Sequence, residues 1–312
     1  MRRPRTQLAL TRAATFATAT LATITLATSA ASPALMAQPV TQPHITVELV
    51  PEYAAATPGK PFRVGLRIAL EKDWHVYWRN PGDAGLATTL ELTLPEGFTA
   101  GEIEWPAPLL FGDAPEISYG YHDTILLPVT ITPPAAMTDG DVVTIGAKAS
   151  WLVCNDVCIP GKAELSLALP VASARDGEPS THHAEFGATD ALVPRTARKI
   201  DMHALRVGDR YEIVVTNAAQ RMVPLPTDVH FFASEESVID HSAPQPVEAR
   251  ENAIVLTVPV SAYEEKPPTH LRGVLVSGKG WNGGGLPAIT VDVPIAIKRE
   301  ADPDGSSTKS RE

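Results

Sequence analysis

VVTIGAKASWLVCNDVCIPGKAELSLALP, residues 142–170, joins two β-prone runs through a short polar turn, and both cysteines of the 312-residue chain flank that turn. Val142–Ser150 and Ala163–Leu169 read as strands, rich in apolar and β-branched residues and bounded by turn formers. Four extended residues span about 13 Å, whereas disulfide-linked Cα atoms lie roughly 4.4–6.8 Å apart. If Cys154 and Cys158 pair, Asn155-Asp156-Val157 must therefore turn, and Asn and Asp favour that conformation. Ile159-Pro160-Gly161 then resumes an extended path. The expectation is a β-hairpin with its cysteine pair at the tip, reachable from outside.

Similar runs recur on both sides. His44–Val50, Phe62–Leu70, Thr88–Leu94 and Thr124–Ile131 precede the hairpin, and Tyr211–Thr216, Asp228–Ala233, Ala253–Pro259, Leu271–Ser277 and Ile289–Ile297 follow it. Such spacing, punctuated by Pro, Gly, Asn and Asp, predicts an all-β protein of two immunoglobulin-like β-sandwich domains in tandem. The 29 prolines, well above the usual ~5%, disfavour long helices. Residues 172–198 are polar, small and proline-bearing, and read as a linker with one short helix near His183–Ala191. The expected organisation is a signal peptide (1–37), a first sandwich with the cysteine pair (38–171), the linker (172–198), a second sandwich (199–298) and a disordered tail (299–312) lacking apolar residues.

The leader reading rests on Arg2, Arg3 and Arg5 ahead of an Ala/Thr/Leu stretch and small residues, with cleavage expected after Ala37 and Ala31 as second choice. Loss of Arg2, Arg3, Arg5 and Arg12 takes the formal net charge from -10 to -14. An acidic surface of that size is a poor match for nucleic acid. After the leader no apolar run reaches the ~18 residues of a spanning helix, so a periplasmic location with no membrane-spanning segment is expected.

Three chemistries are open to the cysteine pair. Export permits a structural disulfide, but closing a five-residue loop is worth only about 2 kcal/mol in the chain-entropy model, against about 4.7 for a 100-residue loop. Two thiolates with no nearby histidine leave zinc short of its usual four ligands. A redox-active pair is the third reading; C-x-x-x-C in a β context differs from the C-x-x-C of thioredoxin-like sites. His75, between Trp74 and Val76, reads either as an imidazolium that lowers a thiolate pKa or as a half-buried strand residue. Trp74, Tyr77, Trp78 and Trp105 read as core or rim aromatics, and Asp156 as a turn former.

Other signals point to no further chemistry. Gly278-x-Gly280-x-x-Gly283 follows an apolar strand, but Leu-Pro and another strand come next, which makes it a glycine-rich hairpin rather than a dinucleotide site. His182-His183 falls in the linker without further ligands. There is no G-x-S-x-G elbow and no H-E-x-x-H. No cofactor and no metal are expected.

Four blocks in order, DWHVYWRNPGDAGL (73–86), LPEGFTAGEIEWPAP (94–108), YGYHDTILLPVTITPP (119–134) and WLVCNDVCIPG (151–161), resemble the periplasmic N-terminal domain of DsbD-type thiol–disulfide interchange proteins, especially the suppressor-of-copper-sensitivity ScsB branch. Residues beyond 199 resemble the family only loosely, through LRGVLVSGKGW and ITVDVPIAI. The resemblance implies an immunoglobulin-like domain that takes electrons from a membrane-embedded or thioredoxin-like donor and passes them to oxidised periplasmic proteins. It implies that Cys158 attacks a substrate disulfide and that Cys154 resolves the mixed disulfide. It also implies a cap loop at LLFGD with Phe111 as the shielding aromatic, and His75 and Tyr77 facing the cysteines. Acidic residues before the cap aromatic in DsbD fall on Leu109 and Leu110 here. The membrane and thioredoxin-like parts of the full-size family are missing, so the donor is expected to be a separate protein. A role in copper tolerance would act through thiol protection, since Met137, Met202 and Met222 form no methionine-rich motif. The alternative of a different class is a non-catalytic binding or assembly module whose disulfide is a structural clasp.

Overall fold

A computed structural model describes residues 38–217, 225–281 and 285–297. The predicted signal peptide and tail, Met222 and Gly283 lie outside the described residues.

The N-terminal half contains eleven strands: β1 (Val40–Gln42), β2 (Ile45–Pro51), β3 (Phe62–Leu70), β4 (His75–Gly82), β5 (Thr89–Thr93), β6 (Thr99–Ile103), β7 (Leu109–Phe111), β8 (Ser118–His122), β9 (Thr124–Thr132), β10 (Val142–Cys154) and β11 (Cys158–Pro170). One sheet runs β1-β2-β3-β9-β6, and the other β11-β10-β4-β8-β7 with β5 also on β10. Alternation explains why they stack. In β2 the side chains of Ile45, Val47 and Leu49 are buried while Thr46 and Glu48 are less so, and β10 buries Ile145, Ala147, Ala149, Trp151 and Val153 at every second position. Both inner faces meet in one core that includes Leu66, Leu127 and Ile131 from the first sheet and Trp78, Tyr119 and Leu165 from the second. Each such fully buried aliphatic contributes about 1.5–3 kcal/mol of transfer free energy.

The connecting segment carries the helix α1 (His183–Asp190), and its Phe186 is completely buried against Val50 and Leu126. Gly65 makes the room: a Cβ there would lie 2.5 Å from Leu126 and 3.3 Å from Phe186. Around it, Arg63 forks between Glu52 and Asp190, and Arg67 bridges Glu48 and Glu185. A stretch that reads as polar is thereby fastened to the outer face of the first sheet by one aromatic and two arginines.

The C-terminal half comprises β12 (Ile200–Val207), β13 (Arg210–Asn217), β14 (Val229–Ala233), β15 (Val247–Ala249), β16 (Ala253–Pro259), β17 (His270–Trp281) and β18 (Leu286–Ile297), in the order β14-β17-β18-β12-β13-β16-β15. Twelve-residue β18 pairs antiparallel with β17 along most of its length, and its end runs parallel to β12. The sheet turns there, so that Phe231 and Leu275 from one part share a core with Ile213, Val215 and Leu256 from the other. Gly278 and Gly280 lie in β17, within the β17–β18 hairpin. Phe232 and Val274 belong to the core of the N-terminal sandwich, which joins the two halves.

Candidate functional site

Strands β10 and β11 are register partners over 13 residues each, from Val142↔Pro170 to Cys154↔Cys158. The tip is closed by the Cys154–Cys158 disulfide, with Cα atoms 4.2 Å apart. Asn155, Asp156 and Val157 form the turn, and the Asn155 N–H donates to the Val157 carbonyl at 3.1 Å. The pair is asymmetric: Cys154 is 1% exposed, whereas Cys158 lies on the exposed side of the hairpin. The expected accessible pair is thus one accessible sulfur backed by a buried one.

Strand β4 brings the aromatic neighbours. His75 is the register partner of Cys154 on one side and of His122 on the other. Two residues along β4, on the same face, the Tyr77 hydroxyl lies 3.9 Å from Cys158 Sγ. Phe111 stacks on the His75 ring at 4.6 Å and 14°, His75 meets Tyr77 edge-on at 5.2 Å, and His122 meets Phe111 edge-on at 6.1 Å. The structure therefore brings Phe111, His75, Tyr77, Cys154 and Cys158 together. His122 joins them without having been singled out from sequence; its place one residue past Tyr121 in the block 119–134 was the available signal.

Phe111 reaches this position on a short strand held at both ends. Tyr121 donates its hydroxyl to the Pro106 carbonyl at 2.7 Å before the cap begins, and β7 pairs with β8 through Leu109↔Gly120, Leu110↔Tyr119 and Phe111↔Ser118. Beyond it, the Ile117 N–H donates to Asp83 at 2.9 Å and the Ser118 hydroxyl donates to the Ala84 carbonyl at 3.2 Å. The loop from Asp83 crosses directly over Tyr77: Gly85 has φ +110° and a Cβ there would lie 2.1 Å from the Tyr77 ring. Glycine is the residue that accommodates both that φ and that approach.

Burial sets the protonation of the neighbours. The His75 imidazole is pushed below its ordinary range by desolvation, which favours its neutral form beside the disulfide. The Tyr77 hydroxyl is pushed up by desolvation and keeps its proton, ready to donate to sulfur. Leu86 (62% exposed), Leu109 and Leu110 (45% each) and Val157 (60%) lie on the loops and strands that surround this cluster. No described group of three His, Cys, Asp or Glu residues is arranged to hold a metal ion. His182 instead contacts Glu185 at 3.1 Å, and His183 lies beside Tyr53.

Residues 46–170 match the family described as the N-terminal domain of the thiol:disulfide interchange protein DsbD. This stretch is a DsbD N-terminal domain. A solved structure, the N-terminal periplasmic domain of ScsB from Proteus mirabilis, superposes with a TM-score of 0.59 at 17% identity, covering 83% of this chain and 97% of that one. At this identity the likeness concerns the fold, and its coverage extends well beyond the DsbD N-terminal domain. A second solved structure, the yeast GGA1 GAE domain, has a TM-score of only 0.25 at 12% identity, over 44% of this chain and all of that one. Among curated proteins none matches the sequence. No helix among the described residues is long and apolar enough to cross a membrane.

Proposed function

We propose that this chain is an exported periplasmic thiol–disulfide exchange module in which residues 38–171 carry the redox pair, residues 172–198 connect, and residues 199–298 form a supporting second sandwich. The observation that carries the proposal is the asymmetry of the pair: Cys158 is exposed beside the Tyr77 hydroxyl, and Cys154 is buried next to His75.

The reduced form works in two displacements. The Cys158 thiolate attacks one sulfur of an oxidised protein, forming a mixed disulfide and releasing the other substrate sulfur as a thiolate. The Cys154 thiolate then attacks Cys158 Sγ, which re-forms the Cys154–Cys158 disulfide and releases the second substrate sulfur. The substrate has gained two electrons and this chain has lost two, which a separate dithiol donor of thioredoxin-like or membrane-embedded type restores. Buried Cys154 favours resolution over external attack, because only the mixed disulfide presents a sulfur within its reach. The Tyr77 hydroxyl stabilises the attacking thiolate by donating to it, and Leu86, Leu109, Leu110 and Val157 give the incoming protein an apolar seat.

The structural-clasp alternative is disfavoured by the same hairpin. A bond across the last of 13 consecutive register pairs adds little restraint to strands already paired along their length. The test is trapping: Cys154→Ser, incubated with an oxidised thioredoxin-like protein, should accumulate a mixed disulfide through Cys158, and Cys158→Ser should not. Equal absence of adducts in both variants would count against exchange.

A further inference from the structure

The cysteine site is built on β4 and β8, and both strands are gripped by the C-terminal half. Register between them breaks after Tyr77↔Gly120 and resumes only at Gly82↔Ser118, so Trp78 to Pro81 bulge out of the ladder immediately beyond Tyr77. The Asn80 side chain in this bulge is 0% exposed. Its amide donates to the Ala233 carbonyl at 2.9 Å and the Glu235 carbonyl at 3.1 Å, and its oxygen accepts the Gly82 N–H at 3.1 Å. Arg79 bonds Ser234 beside it. The bulge thus depends on partners more than 150 residues away for its buried hydrogen bonds, each costly to leave unmade.

The second grip is on β8. The Tyr119 hydroxyl shares a 2.8 Å hydrogen bond with His241 Nδ1, both groups buried, and the Tyr119 ring packs edge-on against Phe232 at 4.7 Å. The backbone of Tyr119 is the register partner of Leu110, next to Phe111. Strand β7 is three residues long, lies at the sheet edge and, among the described residues, pairs with β8 alone. A strand that short cannot hold its own position, so the cap follows β8.

We propose that the C-terminal sheet is a positioning element for the redox site: the Ala233 and Glu235 carbonyls acting through Asn80, and His241 acting through Tyr119, fix Tyr77 beside Cys158 and the Phe111 cap over His75. Asn80 and Tyr119 are positioning residues, since neither touches a cysteine. This assignment rests on the thiol–disulfide reading and gives the C-terminal half a part in it.

The test compares the exported form (38–312) with Tyr119→Phe, which removes only the hydroxyl, and with Asn80→Ala. Ile213→Val serves as control, because Ile213 is buried in the C-terminal core and makes none of these contacts. Two quantities are read: the second-order rate of disulfide reduction by dithiothreitol, and the pH profile of Cys158 alkylation by iodoacetamide after reduction. Loosened positioning should accelerate reduction threefold or more in Tyr119→Phe and further in Asn80→Ala. It should also move the alkylation profile to higher pH as the Tyr77 hydroxyl leaves the sulfur, while Ile213→Val matches the wild type in both. Rates and profiles unchanged in the two variants, or shifted equally in Ile213→Val, overturn the positioning role. A wild-type disulfide that resists dithiothreitol overturns the exchange reading itself and this role with it, an outcome distinct from reactive protein with unresponsive variants.

Discussion

The Tyr77 hydroxyl lies 3.9 Å from Cys158 Sγ, on a residue that is only 3% exposed and whose proton is retained by burial. A neutral donor at that distance favours the thiolate over the thiol, without the charge that a histidinium would bring. Tyr77→Phe should move the alkylation of Cys158 to higher pH, because the thiolate loses a hydrogen-bond donor. The pH dependence of iodoacetamide alkylation measures it, and an unchanged profile would remove Tyr77 from the tuning of the sulfur.

Burial separates the two cysteines kinetically. In reduced protein, Cys158 of Cys154→Ser should react with Ellman's reagent at least about tenfold faster than Cys154 of Cys158→Ser, because reactivity follows access as well as thiolate fraction. Comparable rates would mean that Cys154 is reachable and that either sulfur can attack.

Phe111 covers His75 by stacking rather than by hydrogen bonding, so truncation should open the site at modest cost. Phe111→Ala is expected to accelerate reduction by dithiothreitol several-fold while lowering stability by only about 1 kcal/mol, as a partly exposed aromatic pair is worth about 0.5–1.5 kcal/mol beyond area. A large loss of stability with no change in rate would make Phe111 a structural residue.

Acid should weaken the contact between the two halves. Burial holds His230 down at about 4 and pushes His241 down as well, the latter against the pull of Asp83, Asp240 and Glu236. In the unfolded chain both titrate near 6.5, so the unfolded state binds more protons below that pH. Their contribution is therefore fully present above pH 6.5 and is lost as pH falls from 6.5 through about 4. For His230 it amounts to up to about 3 kcal/mol. Urea unfolding at pH 7, 5.5 and 4.5 should show this decline, and His230→Gln should flatten it.

Much of the architecture was legible because strand periodicity is local. Phe62–Leu70 and Ala253–Pro259 are strands with the bounds read from sequence, and the Asn-Asp turn fixed the hairpin between Cys154 and Cys158. Strand β8, SYGYH, was missed because glycine and polar residues interrupt its apolar signal, and β12, IDMHALRV, because Asp201 and Arg206 put a charge on each of its two faces. The site residues on β4 and β7 were found by resemblance, not by periodicity. His122 and Asn80 escaped both approaches: the first meets Phe111 only through strand pairing, and the second finds its carbonyl partners 153 and 155 residues on, beyond any local pattern.

The central claim is that Cys154–Cys158 is an exchanging pair rather than a clasp, and its reduction potential tests that most directly. Equilibrating the exported form against defined glutathione or dithiothreitol ratios, with thiol trapping as readout, should give a potential well above the roughly -300 mV below which structural disulfides lie. A potential below that value, with slow exchange, would contradict the account.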